Sequence, residues 1–310
     1  MFSLINLGTI LSMLTSFTSA LELPQYKALR TSQEKPGILE VAFHFPNTTI
    51  NLLNQAAVTD LTDLVQKLQV DNDTKVVVFK SDVPKYFIAH GDLNFDIDSM
   101  WPPQISSFDA KVGISDPTIV NQTIELCYNL TNLRQTTIGL VEGVARGGGN
   151  EVLLSLDMRF ATKTHTFFGQ PEVGLGFIPG VGGIQYLAPL IGRGLTMEYI
   201  LSGKDINAND AERIGWINKA FDTSAEMNGY VADLTSRLAL FPLDAINAGK
   251  QAINVATRPL LQHILDDSVA FLELFRQPSV QERTKIGPLE DGDVERFFGE
   301  NLPLLYPTAA

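Results

Sequence analysis

The stretch VEGVARGGGNE, residues 141–151, carries the most information about fold and chemistry in this sequence. It follows a strand-like TIGLV run and leads into an apolar segment that begins at Val152. Gly147, Gly148 and Gly149 are therefore predicted to form a turn that opens a helix. The N–H groups of that turn would favour an anion or an oxyanion at the positive end of the helix dipole. The alternative is that the glycines only permit close packing of strand and helix.

Glu151 stands in the first turn of that predicted helix and is followed by Val152, Leu153 and Leu154. Burial beside apolar side chains raises the pKa of a carboxyl group, and general acid–base catalysis near neutral pH needs a raised pKa. The alternative is that Glu151 only complements the helix dipole.

A second glycine-rich stretch, FGQPEVGLGFIPGVGGIQ, covers residues 168–185. Its one acidic residue, Glu172, has apolar neighbours, and Pro171 and Pro179 restrict the backbone on either side of it. Together with Glu151, this residue supplies two isolated carboxyl groups of the kind that acid–base work at a bound carbonyl compound requires. Spacing along the chain does not show whether the two groups meet.

The flanking sequence predicts an α/β fold. A strand is expected at residues 37–45, a helix at residues 51–69 and a buried strand in KVVVFKS, and this order favours parallel pairing. A long loop is expected at residues 100–117, and further helices are expected at residues 118–135 and from about residue 206 onward.

Composition excludes several classes of function. The formal net charge is -12, with 35 acidic and 23 basic side chains, so no broad basic surface is available for nucleic acid. Cys127 is the only cysteine and the four histidines are scattered, so no metal site is predicted. No run approaches the roughly 20 apolar residues that a transmembrane helix needs.

The N-terminus predicts targeting. Residues 1–20 contain an apolar stretch and end in Thr18-Ser19-Ala20, which resembles the cleavage site of a secretory signal peptide. We therefore expect a secreted protein, and the four N-x-[S/T] sequons that follow are compatible with a glycoprotein; the alternative is an intracellular protein with a disordered extension or a wrongly assigned start. The sequons begin at Asn47, Asn72, Asn121 and Asn129.

With both glycine-rich stretches in view, the chain resembles the crotonase superfamily, the enoyl-CoA hydratase/isomerase family. Residues 85–93, KYFIAHGDL, are similar to the F-x-A-G-x-D segment of that family. Residues 141–151 are similar to its V-x-G-x-A-x-G-G-G-x-E segment, and residues 168–185 to its third motif, F-G-x-P-E-x-x-L-G-x-x-P-G-x-G-G-x-Q. The resemblance implies a stacked ββα superhelix with a helical C-terminal region.

The resemblance also implies a mechanism. Backbone N–H groups of Ile88 and Gly148 would form an oxyanion hole for a thioester carbonyl, and Glu151 and Glu172 would be the catalytic pair. In a hydratase Glu151 would activate water at C3 and protonated Glu172 would deliver a proton to C2, whereas an isomerase needs only Glu172. Substrate would also contact five further residues, which are Ala89, His90, Gly91, Gly147 and Gly180.

Two departures from the family pattern leave questions open. His90 stands where the family usually has glycine, and it is either a further proton-transfer group or a ring packed at the turn. Arg146 either contacts a phosphate or pairs with an acidic neighbour. Lys250 lies in a segment that approaches the nucleotide end of coenzyme A in the family.

These observations predict an enoyl-CoA hydratase-like enzyme that uses no cofactor beyond the coenzyme A of its substrate, and the resemblance implies a homotrimer or hexamer. The alternatives are a 3,2-enoyl-CoA isomerase, a crotonase acting on an unusual substrate, and a non-catalytic secreted binding protein. Four segments are predicted: a signal peptide at 1–20, a lead at 21–36, a core at 37–255 and a helical C-terminal region at 256–310.

Overall fold

A computed structural model describes residues 21–46, 48–93 and 122–284. The predicted signal peptide, the predicted loop at 100–117 and the sequons at Asn47 and Asn121 lie outside these residues. The strands are β1 Leu29–Lys35, β2 Ile38–Phe43, β3 Leu52–Leu53, β4 Val76–Ser81, β5 Tyr86–Ile88, β6 His90–Gly91, β7 Thr136–Val141, β8 Val144–Arg146, β9 Met158–Thr162, β10 Phe167–Gly169, β11 Ile206–Asn207 and β12 Lys219–Phe221.

Ten helices are described in these ranges. They are α1 Gln55–Val70, α2 Gln122–Asn132, α3 Gly148–Leu154, α4 Glu172–Leu175, α5 Gly183–Ser202, α6 Ala208–Ile214, α7 Ser224–Ala239, α8 Leu243–Thr257, α9 Leu261–Phe275 and α10 Pro278–Thr284. No described helix has the length and apolar character needed to cross a membrane.

The main sheet has six strands in the order β1-β2-β4-β7-β9-β12. From β2 to β12 every pair is parallel, as the strand, helix, strand order predicts. The strand β7 is buried at all six positions, and both α8 and strand β5 of a second sheet contact it. That second sheet has the order β11-β10-β8-β5, and the two glycine-rich stretches continue from the carboxyl ends of its inner strands, β8 and β10.

The lead predicted at residues 21–36 contains an element that the sequence did not predict. Its residues Leu29–Lys35 form β1, which pairs antiparallel with β2 at the edge of the main sheet. Leu29 is buried opposite Phe43, while Glu34 and Lys35 are exposed. Because an edge strand packs on one side only, its polar sequence lacks the apolar run that marked the interior strands.

The apolar helix α9 packs within its own chain. Ile264 and Leu265 belong to the main core, and Phe275 contacts Phe177 with a ring separation of 5.3 Å. The C-terminal part of the described chain therefore closes over the second glycine-rich stretch, which contains Phe177.

Candidate active site

The carboxyl group of Glu151 joins the two glycine-rich stretches. Glu151 lies in the first turn of α3, and its Oε1 accepts hydrogen bonds of 2.9 Å from the backbone N–H groups of both Val181 and Gly183. A Cβ atom on Gly183 would lie 3.0 Å from this same oxygen, so only glycine permits the approach. The structure thus brings together two segments that are 30 residues apart in sequence.

Glu172 begins the short helix α4 and is buried beside the glycine turn that precedes α3. Its Oε1 lies 2.9 Å from the position that a Cβ on Gly147 would occupy, and Gly147 has a φ of +49°. The amide group of Gln170 can donate to both carboxyl oxygens, at 3.2 Å and 3.3 Å, when its NH2 faces Glu172.

The environment of the two glutamates shifts both pKa values upward. Burial raises the pKa of Glu151 to about 7 from an ordinary value of 4.5. The hydrogen bonds from the two backbone N–H groups oppose part of this rise, and the charge of Asp267 adds to it. Burial raises the pKa of Glu172 well above its ordinary value, and the negative charge of Glu151 adds to that rise. At neutral pH this arrangement favours a proton on Glu172 while Glu151 can be ionised.

The raised pKa of Glu151 predicts a pH dependence of stability. The folded protein binds this proton more tightly than the unfolded chain, so the stabilisation is complete below the unfolded pKa and is lost as pH rises through the folded pKa. As the pH rises from about 4.5 to 7, the free energy of unfolding of the native protein should decrease. This decrease should exceed the decrease in Glu151→Gln by up to about 3 kcal/mol. Urea unfolding of both proteins across this range measures the difference, and parallel profiles would contradict the assigned pKa.

The glycine turn before α3 is held against the second sheet. The N–H group of Gly147 donates to the carbonyl of Gly169 at 3.0 Å, and the carbonyl of Gly147 accepts from Glu151 N–H at 2.9 Å. A Cβ on Gly149 would lie 2.4 Å from the carbonyl oxygen of Ile88. Backbone therefore packs directly on backbone where α3 meets β5.

The structure favours Gly91 over Ile88 as the partner of Gly148. A Cβ on Gly148 would lie 3.6 Å from the backbone nitrogen of Gly91, whereas Ile88 belongs to β5 and is paired with Ala145 of β8. The N–H group of Asp92 donates to Leu53 in β3, and successive N–H groups of a strand point in opposite directions. Because Gly91 is paired with Leu53 and the next N–H group, that of Asp92, donates to Leu53, we expect the Gly91 N–H group to point away from β3.

Of the remaining residues expected to contact substrate, Ala89 and Gly180 have structural contacts. The N–H group of Ala89 donates to the carbonyl of Asn51 at 3.0 Å, so this donor is already engaged. A Cβ on Gly180 would lie 2.7 Å from the ring of Phe271 in α9, so a glycine is needed there for helix packing.

Arg146 pairs with an acidic neighbour. Its guanidinium is buried and donates to both carboxyl oxygens of Asp205, through Nε at 2.8 Å and through Nη2. His90 is buried as well, and its Nδ1 lies 2.6 Å from the carbonyl oxygen of Gly91. Burial lowers the pKa of His90 to about 4, and the positive charge of Arg146 acts in the same direction.

Lys250, whose segment approaches the nucleotide end of coenzyme A in the family that the chain resembles, has a buried ammonium group here. Its Nζ is buried, pairs with Asp157 at 2.8 Å and donates to the carbonyl of Gln135 at 3.0 Å. Within residues 21–46, 48–93 and 122–284, no group of three or more His, Cys, Asp or Glu side chains could hold a metal ion.

Sequence reasoning missed three residues of the site. Asn51 is fully buried, and its amide donates to the carbonyl of Phe87 in the segment that leads to Gly91. Gln170 lies against Glu172, and Asp267 accepts from Gln185 at 2.9 Å beside the segment that binds Glu151. Asn51 and Asp267 come from parts of the chain without a glycine cluster, so no local signal marked them.

The fold and the two buried glutamates indicate an enzyme class that does acid–base chemistry at a bound carbonyl compound. Comparison with known proteins agrees with this class. The profile of the family "Enoyl-CoA hydratase/isomerase" matches residues 33–289. The chain belongs to the enoyl-CoA hydratase/isomerase family.

Individual relatives give the same result. The chain is 29% identical over 238 residues to the "Short-chain-enoyl-CoA hydratase" of Clostridium acetobutylicum, covering 77% of this chain and 84% of the relative. It is 31% identical over 232 residues to the "Probable enoyl-CoA hydratase 2, mitochondrial" of Arabidopsis thaliana, and the match covers 74% of this chain and 72% of the relative. A crystal structure of a "putative enoyl-CoA hydratase from Streptomyces avermitilis" superposes with a TM-score of 0.75 at 34% identity and covers 85% of this chain and 90% of that one.

These comparisons confirm the predicted membership of the crotonase superfamily, and they confirm the predicted α/β fold with its helical C-terminal region. They also confirm an enzyme of the enoyl-CoA hydratase/isomerase type. The roles of individual residues, the compartment and the oligomeric state stay predictions.

Proposed function

We propose that the protein hydrates a 2-enoyl-CoA thioester, and catalyses the reverse dehydration, through an enolate held by backbone N–H groups. The observation that carries the proposal is the closeness of two buried carboxyl groups, those of Glu151 and Glu172, in which the negative charge of Glu151 adds to the raised pKa of Glu172. The family membership and the hydratases among the relatives support the choice of substrate class.

In this proposal the two glutamates have different protonation states. Both backbone bonds of Glu151 go to Oε1, which leaves Oε2 to bind and deprotonate the water that adds at C3. Glu172, which keeps its proton at neutral pH, delivers that proton to C2. A pair with separated proton affinities can act as base and acid in one step.

The enolate oxygen would be held by the N–H groups of Gly91 and Gly148, with Gly91 replacing Ile88 as the proposed donor. The pairing of β6 with β3 and the closeness of Gly148 to Gly91 support this choice. An oxyanion-hole donor is worth about 3 to 4 kcal/mol of transition-state stabilisation. Coenzyme A enters as part of the substrate, and no separate cofactor is needed for the steps described.

Glu151→Gln tests the assignment of hydratase against isomerase. We expect hydration of crotonyl-CoA to fall about 10²- to 10⁴-fold, because the variant has no base for water, while isomerisation of a 3-enoyl-CoA stays within about tenfold. Loss of the conjugated-enoyl absorbance and product chromatography measure the two reactions.

The control for this experiment is Glu142→Gln, which changes an exposed glutamate of the same glycine-rich stretch. This variant should keep both activities. A native protein that isomerises 3-enoyl-CoA but does not hydrate crotonyl-CoA would make isomerase the correct assignment.

The compartment and assembly are proposed on separate grounds. Residues 1–20 would direct the chain to the secretory pathway, which N-terminal sequencing of protein from its native source tests. Asn72 is exposed although Thr74 of its sequon is buried, and Thr131 of the Asn129 sequon is buried and donates to the carbonyl of Ser155. The trimer or hexamer implied by the family is supported by apolar side chains exposed on α8, Ile253 and Val255.

A further inference from the structure

His90 lies next to the proposed oxyanion donor and contacts the backbone of that donor directly. Its side chain is 5% exposed, and its Nδ1 is 2.6 Å from the carbonyl oxygen of Gly91. A carbonyl oxygen can only accept a hydrogen bond, so Nδ1 must carry the proton and donate. The contact therefore fixes the tautomer of the neutral ring.

The geometry of the peptide bond explains what this hydrogen bond controls. The carbonyl of Gly91 and the N–H group of Asp92 belong to one planar peptide unit. His90 binds the carbonyl end of that plane, and Leu53 accepts from its N–H end at 3.2 Å. Both ends of the plane that follows Gly91 are thus held.

Gly91 itself has little to restrain it. It has no side chain, and a Cβ placed on it would meet no described heavy atom within 4 Å. Glycine has more backbone freedom than any other residue, so an N–H donor on glycine loses precision unless its flanking peptide planes are fixed. The preceding plane lies in the pairing of β6 with β3, and His90 helps to fix the following one.

We propose that His90 is a positioning residue of this enzyme, whose Nδ1–H bond to Gly91 holds the Gly91 N–H group in line with the thioester oxygen. The inference rests on the proposed function, because only an enolate intermediate gives the Gly91 N–H group a catalytic role. It assigns His90 neither to proton transfer nor to packing alone. A neutral ring suits the role, and the burial of His90 and the charge of Arg146, which lower its pKa to about 4, keep it neutral over the physiological range.

The experiment compares His90→Asn with His90→Leu in the full chain. Both replacement side chains branch at Cγ and have nearly the same shape, but only asparagine places an N–H donor where Nδ1 stood. We expect the leucine variant to lose at least about tenfold in kcat for crotonyl-CoA hydration with KM within about threefold, since an oxyanion donor acts mainly in the transition state. The asparagine variant should stay within about threefold of native kcat.

A second readout reports the oxyanion hole without turnover. The thioester 4-dimethylaminocinnamoyl-CoA absorbs at longer wavelength when its carbonyl is polarised. The native protein and His90→Asn should shift its absorbance to the red, and His90→Leu should shift it less. His44→Leu, at a half-exposed histidine paired with Asp82, is the control and should behave like the native protein.

The outcomes separate the inference from the function on which it rests. A native protein that neither hydrates crotonyl-CoA nor shifts the probe overturns the proposed function and this inference with it. Native activity with an unchanged His90→Leu variant overturns the inference alone, and so does an equal loss in both variants. Circular dichroism and urea unfolding check folding, and His90→Ala replaces His90→Leu if the leucine variant does not fold.

Discussion

Replacing Glu172 with glutamine should abolish both reactions open to this enzyme. Hydration needs the Glu172 proton at C2, and isomerisation needs the same carboxyl group to move a proton between C2 and C4. General acid–base catalysis contributes about 10²- to 10⁴-fold, so we expect kcat to fall by this factor for crotonyl-CoA and for a 3-enoyl-CoA. KM should change little, because glutamine has nearly the same size and still fits beside Gly147.

Stability separates this effect from misfolding. Burial already favours the neutral form of Glu172, so a neutral amide should leave the free energy of unfolding near pH 7 unchanged or raise it. Steady-state kinetics and urea unfolding on the same preparation measure kcat and the free energy of unfolding. A loss of less than about tenfold in either reaction, with the protein folded, would count against Glu172 as the proton donor.

Gly149→Ala should be nearly as damaging, although Gly149 contributes no functional side chain and is not a proposed donor. The new Cβ would lie 2.4 Å from the Ile88 carbonyl oxygen and 2.7 Å from the Ile88 Cβ. Such distances force the start of α3 away from β5, and this movement separates Gly148 from Gly91. We expect kcat to fall about 10²- to 10³-fold, the effect of losing one oxyanion donor, and the overpacking to cost about 1 to 3 kcal/mol of stability.

Gly229→Ala provides the matched control for this prediction. Gly229 lies in α7, where an added Cβ meets no described heavy atom within 4 Å. Alanine in place of a helical glycine should raise stability by about 0.5 to 1 kcal/mol and leave kcat unchanged. Native-like kcat in Gly149→Ala would show that the contact between α3 and β5 does not set the position of the donor.

Part of the fold could be read from local patterns because burial on both faces leaves a continuous apolar run. The run VVVF in β4 shows this, and the helix predicted at residues 51–69 corresponds to α1 at Gln55–Val70. The strand β1 could not be read in the same way. Its LRTSQEK sequence is polar because one side of an edge strand faces water, and its pairing with β2 depends on a neighbour in space.

At the candidate site, too, local sequence did not predict contacts between residues that are distant along the chain. The motif pattern identified Gly148 and both glutamates, but it aligned the first donor with Ile88. The pairing of β6 with β3 and the packing of Gly148 on Gly91 moved that assignment by three residues. Sequence also left Arg146 undecided, since Asp205, its partner, lies 59 residues further along the chain.

The sequence by itself determined the family and the α/β class and singled out the two glutamates as candidates, because these depend on residue types at fixed spacings in three motifs. The tertiary structure decided which groups surround those residues. Burial raises the pKa of Glu151 to about 7, and the charge of Asp267 adds to this rise, while the hydrogen bonds from Val181 and Gly183 oppose part of it. The tautomer of His90 and the direction of the Gly91 N–H group likewise depend on hydrogen bonds and strand pairing, which form only when the chain folds.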